Sequence, residues 1–153
     1  MIKQIIKNKE IVADSWQQLS DDDALPDSGK IIINYQRWLQ LSENLRAFNG
    51  QLGICISADI AIDAIKDELD QFQLIAIRFP EFKDGRGYTH ARILRERYNF
   101  QGELRATGNI LRDQIFYLHR CGFDAFELEN GRDIKDALNA FTDFGANYQP
   151  AAI

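Results

Sequence analysis

The sequence predicts an α/β fold built from a mostly parallel sheet, and three observations carry that prediction. Short apolar runs alternate with amphipathic helical stretches five times, at intervals of roughly 20 to 25 residues. Glycine or asparagine stands at most of the junctions, so the connections are short. In the apolar runs, large side chains alternate with small or charged ones, the period-two signature of a strand whose two faces differ. The chain has 153 residues with 45% hydrophobic and 27% charged side chains, enough for one domain with a proper core. No interdomain linker is visible, so residues 1–153 read as a single domain.

The elements follow in order. Ile2–Ile6 and Ile11–Val12 flank Lys7-Asn8-Lys9-Glu10, a hairpin with Asn8 in the turn. A polar loop runs to Gly29; its triplet Asp21-Asp22-Asp23 lacks the ligand spacing of a calcium loop and reads as a solvated run. Ile31–Ile33 is the first strand of the repeating core. Tyr35–Phe48 is its helix, with Trp38, Leu41, Leu45 and Phe48 on one stripe and Asn49-Gly50 ending it. Leu52–Ile56 is the next strand. Ser57 or Asp59 can cap the helix after it, whose stripe is Ile62, Ile65 and Leu69.

Phe72–Phe79 is the third strand, stopped by Pro80. Asp84-Gly85-Arg86-Gly87 is a tight turn whose glycines supply positive φ, because it has neither the spacing of a dinucleotide fingerprint nor the Lys-Ser/Thr of a phosphate loop. Tyr88–Tyr98 is a helix. Gly102–Ala106, Ile110–Cys121, Asp124–Leu128 and a last helix lined by Ile134, Ala137, Leu138 and Phe141 complete the core. Residues after Phe144 read as a tail.

The strand faces lead towards function. Leu52, Ile54 and Ile56, then Ile75, Ile77 and Phe79, then Leu104 and Ala106, then Phe126 and Leu128 form a bulky face for helices to cover. The other face carries Gly53 and Cys55, then Ala76 and Arg78, Glu103 and Arg105, Ala125 and Glu127. It resembles the inner wall of a strand-helix barrel, where groups from several strand ends meet. Five units are too few to close a barrel, so either a partial barrel or an open, doubly wound sheet fits.

Arg78, Arg105 and Glu127 fall near the carboxyl ends of three strands. Asp84, Arg86 and His90 follow one strand, and Asn109 follows another. Gathered on one rim, Arg78, Asp84, Arg86, Arg105 and Asn109 could hold an anion, with Glu127 or His90 moving a proton. The alternative is an internal ion-pair network joining Glu103 or Glu127 to an arginine, because structural networks also collect charge at strand ends.

Other chemistry is thinly marked. Cys55 and Cys121 stand 66 positions apart and form no CxxC, which suits reduced, buried thiols in a cytoplasmic protein. No cofactor motif is present, and His90 and His119 lack metal-binding spacing. A net charge of −5 argues against nucleic acid, and no apolar run reaches membrane-spanning length.

Asp84-Gly85-Arg86-Gly87, Leu94-Arg95, Gly102-Glu103-Leu104-Arg105-Ala106, Asp113-Gln114 and Arg120-Cys121-Gly122-Phe123-Asp124-Ala125-Phe126 together resemble the bacterial domain-of-unknown-function family 934. The likeness runs from about Lys30 to the last helix. Members carry the label of oxidoreductases of sulfite reduction, from genes beside those of assimilatory sulfite reductase. The resemblance implies a place in sulfur assimilation and supplies no catalytic residue. Three roles fit: an accessory protein binding sulfite reductase or a sulfur oxyanion, a small enzyme using Arg105 and Arg86 with Glu127 or His90, or a homodimer whose partner covers the inner wall.

Overall fold

A computed structural model describes residues 3–79, 86–129 and 131–147. The strands are β1 (Gln4–Lys7), β2 (Glu10–Ala13), β3 (Gln17–Gln18), β4 (Ser28–Asn34), β5 (Asn49–Ser57), β6 (Leu74–Phe79), β7 (Glu103–Gly108) and β8 (Ala125–Leu128). The helices are α1 (Tyr35–Arg46), α2 (Arg86–Arg92), α3 (Arg112–Cys121) and α4 (Ile134–Asn147), with a 3-10 helical stretch at Ile62–Gln71 and a π-turn at Ile93–Arg97 that continues α2. All eight strands form one sheet in the order β2-β1-β8-β7-β6-β5-β4-β3. From β3 to β8 the pairs are parallel; β1 joins β8 antiparallel and carries the hairpin to the edge.

The sequence marks the hairpin well. Asn8 and Lys9 both have positive φ, 53° and 66°, which gives the two-residue turn a twist matched to its strands. α1 starts where Asn34 accepts a hydrogen bond from the Arg37 N–H at 2.9 Å. Gly122, at φ 126°, ends α3. The expected cap at Ser57 or Asp59 does not form. The two side chains bond each other instead, and Ala61 precedes a 3-10 stretch with no side-chain cap. Ile62 and Ile65, three apart, stack along that tighter winding and are buried. Gly87 also differs from expectation: it is not at positive φ, but an added Cβ would lie 2.1 Å from the Phe79 ring. Gly85 lies outside the described residues. α4 runs to Asn147, past the expected end at Phe144, since no proline interrupts it before Pro150.

The main core lies entirely on the bulky sheet face. It joins Ile54, Ile56, Ile75, Ile77, Leu104 and Phe126 to Trp38, Leu45, Ile65, Leu94, Ile115 and Leu118 from the helical layer. The second cluster contains only strand and loop residues: Ile32, Leu74 and Ala76, with Trp16 and Cys55 against them. Helices on a single face exclude the doubly wound alternative. The sheet curls instead into a half-barrel.

One contact shows how far it curls. Gln18 on β3 donates to Glu127 Oε1 on β8 at 2.6 Å. Those strands are five positions apart in the sheet, about 24 Å if it were flat. Because β2 and β3 sit at opposite edges, residues 14–16 must cross the concave side between them. This strap, with β3, covers part of the inner wall. The sequence did not mark β3: Gln17 and Gln18 carry no strand pattern, and two ladder partners on β4 hold them.

Candidate functional site

The concave wall is built in rows, because neighbouring parallel strands are in register and side chains two apart share a face. One row is Ile32, Gly53, Leu74, Glu103. The next is Asn34, Cys55, Ala76, Arg105, Ala125. The third is Ser57, Arg78, Thr107, Glu127. Small residues in the middle row leave the wall hollow on the β5–β6 side. Charged residues fill it on the β7–β8 side.

On that filled side Arg105 is fully buried. Its Nε donates to Glu103 at 2.9 Å, and Nη1 donates to Asp14 at 2.9 Å and Glu127 at 3.1 Å. Nη2 donates to the other Asp14 oxygen at 3.0 Å. Lys7 pairs with Glu103 and Lys3 with Glu127, each at 2.9 Å. Three cations thus face three carboxylates. Burial opposes the Arg105 charge, but the bonds to Asp14 and the nearby Glu103 outweigh it, so the guanidinium's pKa is raised. A buried cation is tolerable only with such complete pairing.

Next to this network lies a cleft of about 560 Å³. Leu19, Ile32, Cys55 and Ala76 line its apolar part; Arg78, Thr107 and Lys3 line its polar part. Glu127 is the wall between cleft and network. It accepts from Gln18, Arg105 and Lys3, so its charge is neutralised by groups already in place. Among the described residues the Arg78 side chain is exposed and makes no hydrogen bond or ion pair. Gly108 closes the cleft floor at φ 94°, where an added Cβ would meet the Phe79 carbonyl at 2.5 Å. Burial pushes the Cys55 thiol up to about 11 despite the attraction of Arg78. It is therefore a neutral thiol at pH 7 and not an activated nucleophile.

The residues expected on a single rim do not all converge. Arg105 and Glu127 meet, and Arg78 shares their face. Arg86 and His90 line a separate hollow of about 200 Å³ with Asp63 and Arg97, which shares no residue with the cleft. His90 Nε2 lies 2.8 Å from the Ala58 carbonyl oxygen. Asn109 accepts from Arg132 at 3.3 Å, and its backbone N–H donates to Phe79. Asp84 lies outside the described residues. The cause is the connection: a helix after a strand returns over the bulky face, so α2 takes Arg86 and His90 to the helical side.

Sequence reasoning missed Asp14, Lys3, Lys7 and Gln18. Lys3, Ile5 and Lys7 alternate, which is a readable sign that β1 sends both lysines to one face. Asp14 and Gln18 gave no comparable sign. The acidic loop is tied down as well: Arg37 donates to the carbonyls of Ser20 and Asp23, and Asn34 donates to Asp21. Among the described residues, no group of His, Cys, Asp and Glu is arranged to hold a metal ion, and no helix is long and apolar enough to cross a membrane.

Fold and site define a class: a one-sided α/β half-barrel with a buried ion-pair network beside an open cleft. The family described as "Bacterial protein of unknown function (DUF934)" matches residues 53–153, and the chain belongs to it. The match runs from Gly53, within β5, through α4 and leaves out the hairpin, strap, β3, β4 and α1. No curated protein and no solved structure matches the chain.

Proposed function

We propose that this protein is an accessory, anion-binding protein of assimilatory sulfite reduction, taking a sulfur oxyanion at Arg78 and acting beside sulfite reductase. The observation that carries the binding step is Arg78 itself, a guanidinium without a partner among the described residues at the mouth of a cleft. Arginine offers a permanent charge and paired donors to an oxyanion, and Thr107, its register neighbour, adds a hydroxyl. The link to sulfur comes from the family resemblance, and the anion from the geometry.

The enzymatic alternative has less support. Arg105 has four hydrogen bonds to carboxylates, so binding an anion there would break buried pairs. Glu127 already accepts three donors, and His90 lies in the other hollow. Calorimetry with sulfite and sulfate at low salt tests the binding step. Binding to the wild type and its loss in Arg78→Gln are expected; no binding, or equal binding by both proteins, rejects it. Co-precipitation of sulfite reductase with the tagged chain is expected, and its failure under the same conditions rejects the partnership.

A further inference from the structure

The polar side chains that line the cleft divide into those already engaged and those that are not. Lys3 is paired with Glu127, and Glu127 also accepts from Gln18 and Arg105. Asn34 accepts from the Arg37 N–H and donates to Asp21. Apart from the neutral Cys55 thiol, three lining groups have no hydrogen bond or ion pair among the described residues. They are the Arg78 guanidinium, the Thr107 hydroxyl and the Glu129 carboxylate.

Arg78 and Glu129 are opposite charges, both exposed on one cleft, yet they do not pair with each other. The sheet keeps them apart. Arg78 is level with Thr107, and Thr107 with Glu127, so β7 separates β6 from β8 by about 10 Å in all. Glu129 lies two residues beyond Glu127, about 7 Å further along the strand direction. Thr107 stands between the two charges. A bare oxyanion at Arg78 would use Arg78 and Thr107 and leave Glu129 facing the same space. A ligand with an oxyanion at one end and an ammonium at the other matches all three groups, and its zero net charge matches the sum of the cleft's two free charges. The cleft volume of about 560 Å³ lies within the range of sites that hold small organic molecules, about 300–1,000 Å³, so a spacer between the two charges fits.

We infer that the cleft binds a small zwitterion of the aminosulfonate type, with its sulfonate on Arg78 and Thr107 and its ammonium on Glu129. The inference rests on the anion reading above, which supplies the sulfonate; Glu129 supplies the ammonium. The ligand lies across the mouth of the cleft over Thr107 and needs no contact with the buried apolar residues of the wall.

NMR titration at low salt tests it with 3-aminopropanesulfonate, 1-propanesulfonate, 4-aminobutanoate and inorganic sulfate. The aminosulfonate is expected to bind the wild type about threefold more tightly than 1-propanesulfonate, the scale of one exposed ion pair. Glu129→Gln should abolish that difference without weakening 1-propanesulfonate, and Arg78→Gln should weaken both sulfonates. Equal affinity for the two sulfonates in the wild type, with both dependent on Arg78, overturns the inference and leaves the anion reading standing. A preference for the aminosulfonate that survives Glu129→Gln places the ammonium elsewhere and overturns it. Aminosulfonate binding indifferent to Arg78→Gln overturns it as well. Tighter binding of 4-aminobutanoate than of the aminosulfonate overturns the sulfonate assignment. If no probe, sulfite included, binds in an Arg78-dependent way, both readings fall.

Discussion

Arg105 and Arg78 stand on adjacent strands, on the same face of the sheet, one row apart. Arg105 is sealed under the strap with three carboxylates around it; Arg78 is exposed at the edge of a hollow. The difference lies in what crosses the face above each. Asp14 comes down on Arg105 from 91 positions away and closes that half. Over Arg78, Cys55 and Ala76 are too small to fill the wall. The same residue type on the same wall therefore serves stability in one half and recognition in the other.

Arg105→Ala tests the sealed half most severely. It leaves Asp14, Glu103 and Glu127 buried without their shared cation, and about 3–5 kcal/mol of stability should be lost. That is a large share of a typical domain's total. Urea denaturation reads it, and Arg105→Lys should recover only part, because an ammonium cannot serve three carboxylates in a planar fork. A loss under about 1 kcal/mol would show the network to be a surface ornament.

Asp14→Ala removes two charge-assisted bonds and should cost about 2–3 kcal/mol. It should also speed proteolytic cleavage near residues 14–18, because the strap loses its hold on Arg105. Unchanged cleavage would mean that the β3 ladder alone fastens the strap.

A smaller effect comes from His119 on α3. Burial lowers its pKa, opposed by a hydrogen bond to the Phe123 carbonyl. The folded state therefore prefers the neutral ring. Its contribution is complete above the unfolded value of about 6.5 and is lost as the pH falls through the lower folded value. His119→Gln should flatten the decline in stability below pH 6.5, measured by denaturation at a series of pH values. A parallel decline in both proteins would assign it to other groups.

Arg78→Gln should leave the denaturation midpoint unmoved while anion binding disappears. This pairing of no stability change with lost binding sharpens the contrast with Arg105 best. A destabilised Arg78→Gln would make both arginines structural.

The face on which each of these residues stands was legible in the sequence. Period-two alternation put Arg78, Arg105, Glu103 and Glu127 together, opposite the helices, and that grouping needed only strand geometry. The strand-helix repeat was legible for the same reason: each unit announces itself through local periodicity, although the cap expected at Ser57 or Asp59 did not form. The sequence also brought Arg86 and His90 too close, because nearness along the chain to a strand end does not say which way the following turn leaves the sheet.

What the tertiary structure decided is which charges meet. A strand pattern fixes the side of a side chain but not the curl of the sheet, and it was the curl that brought Gln18 to Glu127. The placing of β2 and β3 at opposite edges drew Asp14 across to Arg105. Both are long-range consequences of packing, since they depend on elements far apart in sequence meeting across the concave face.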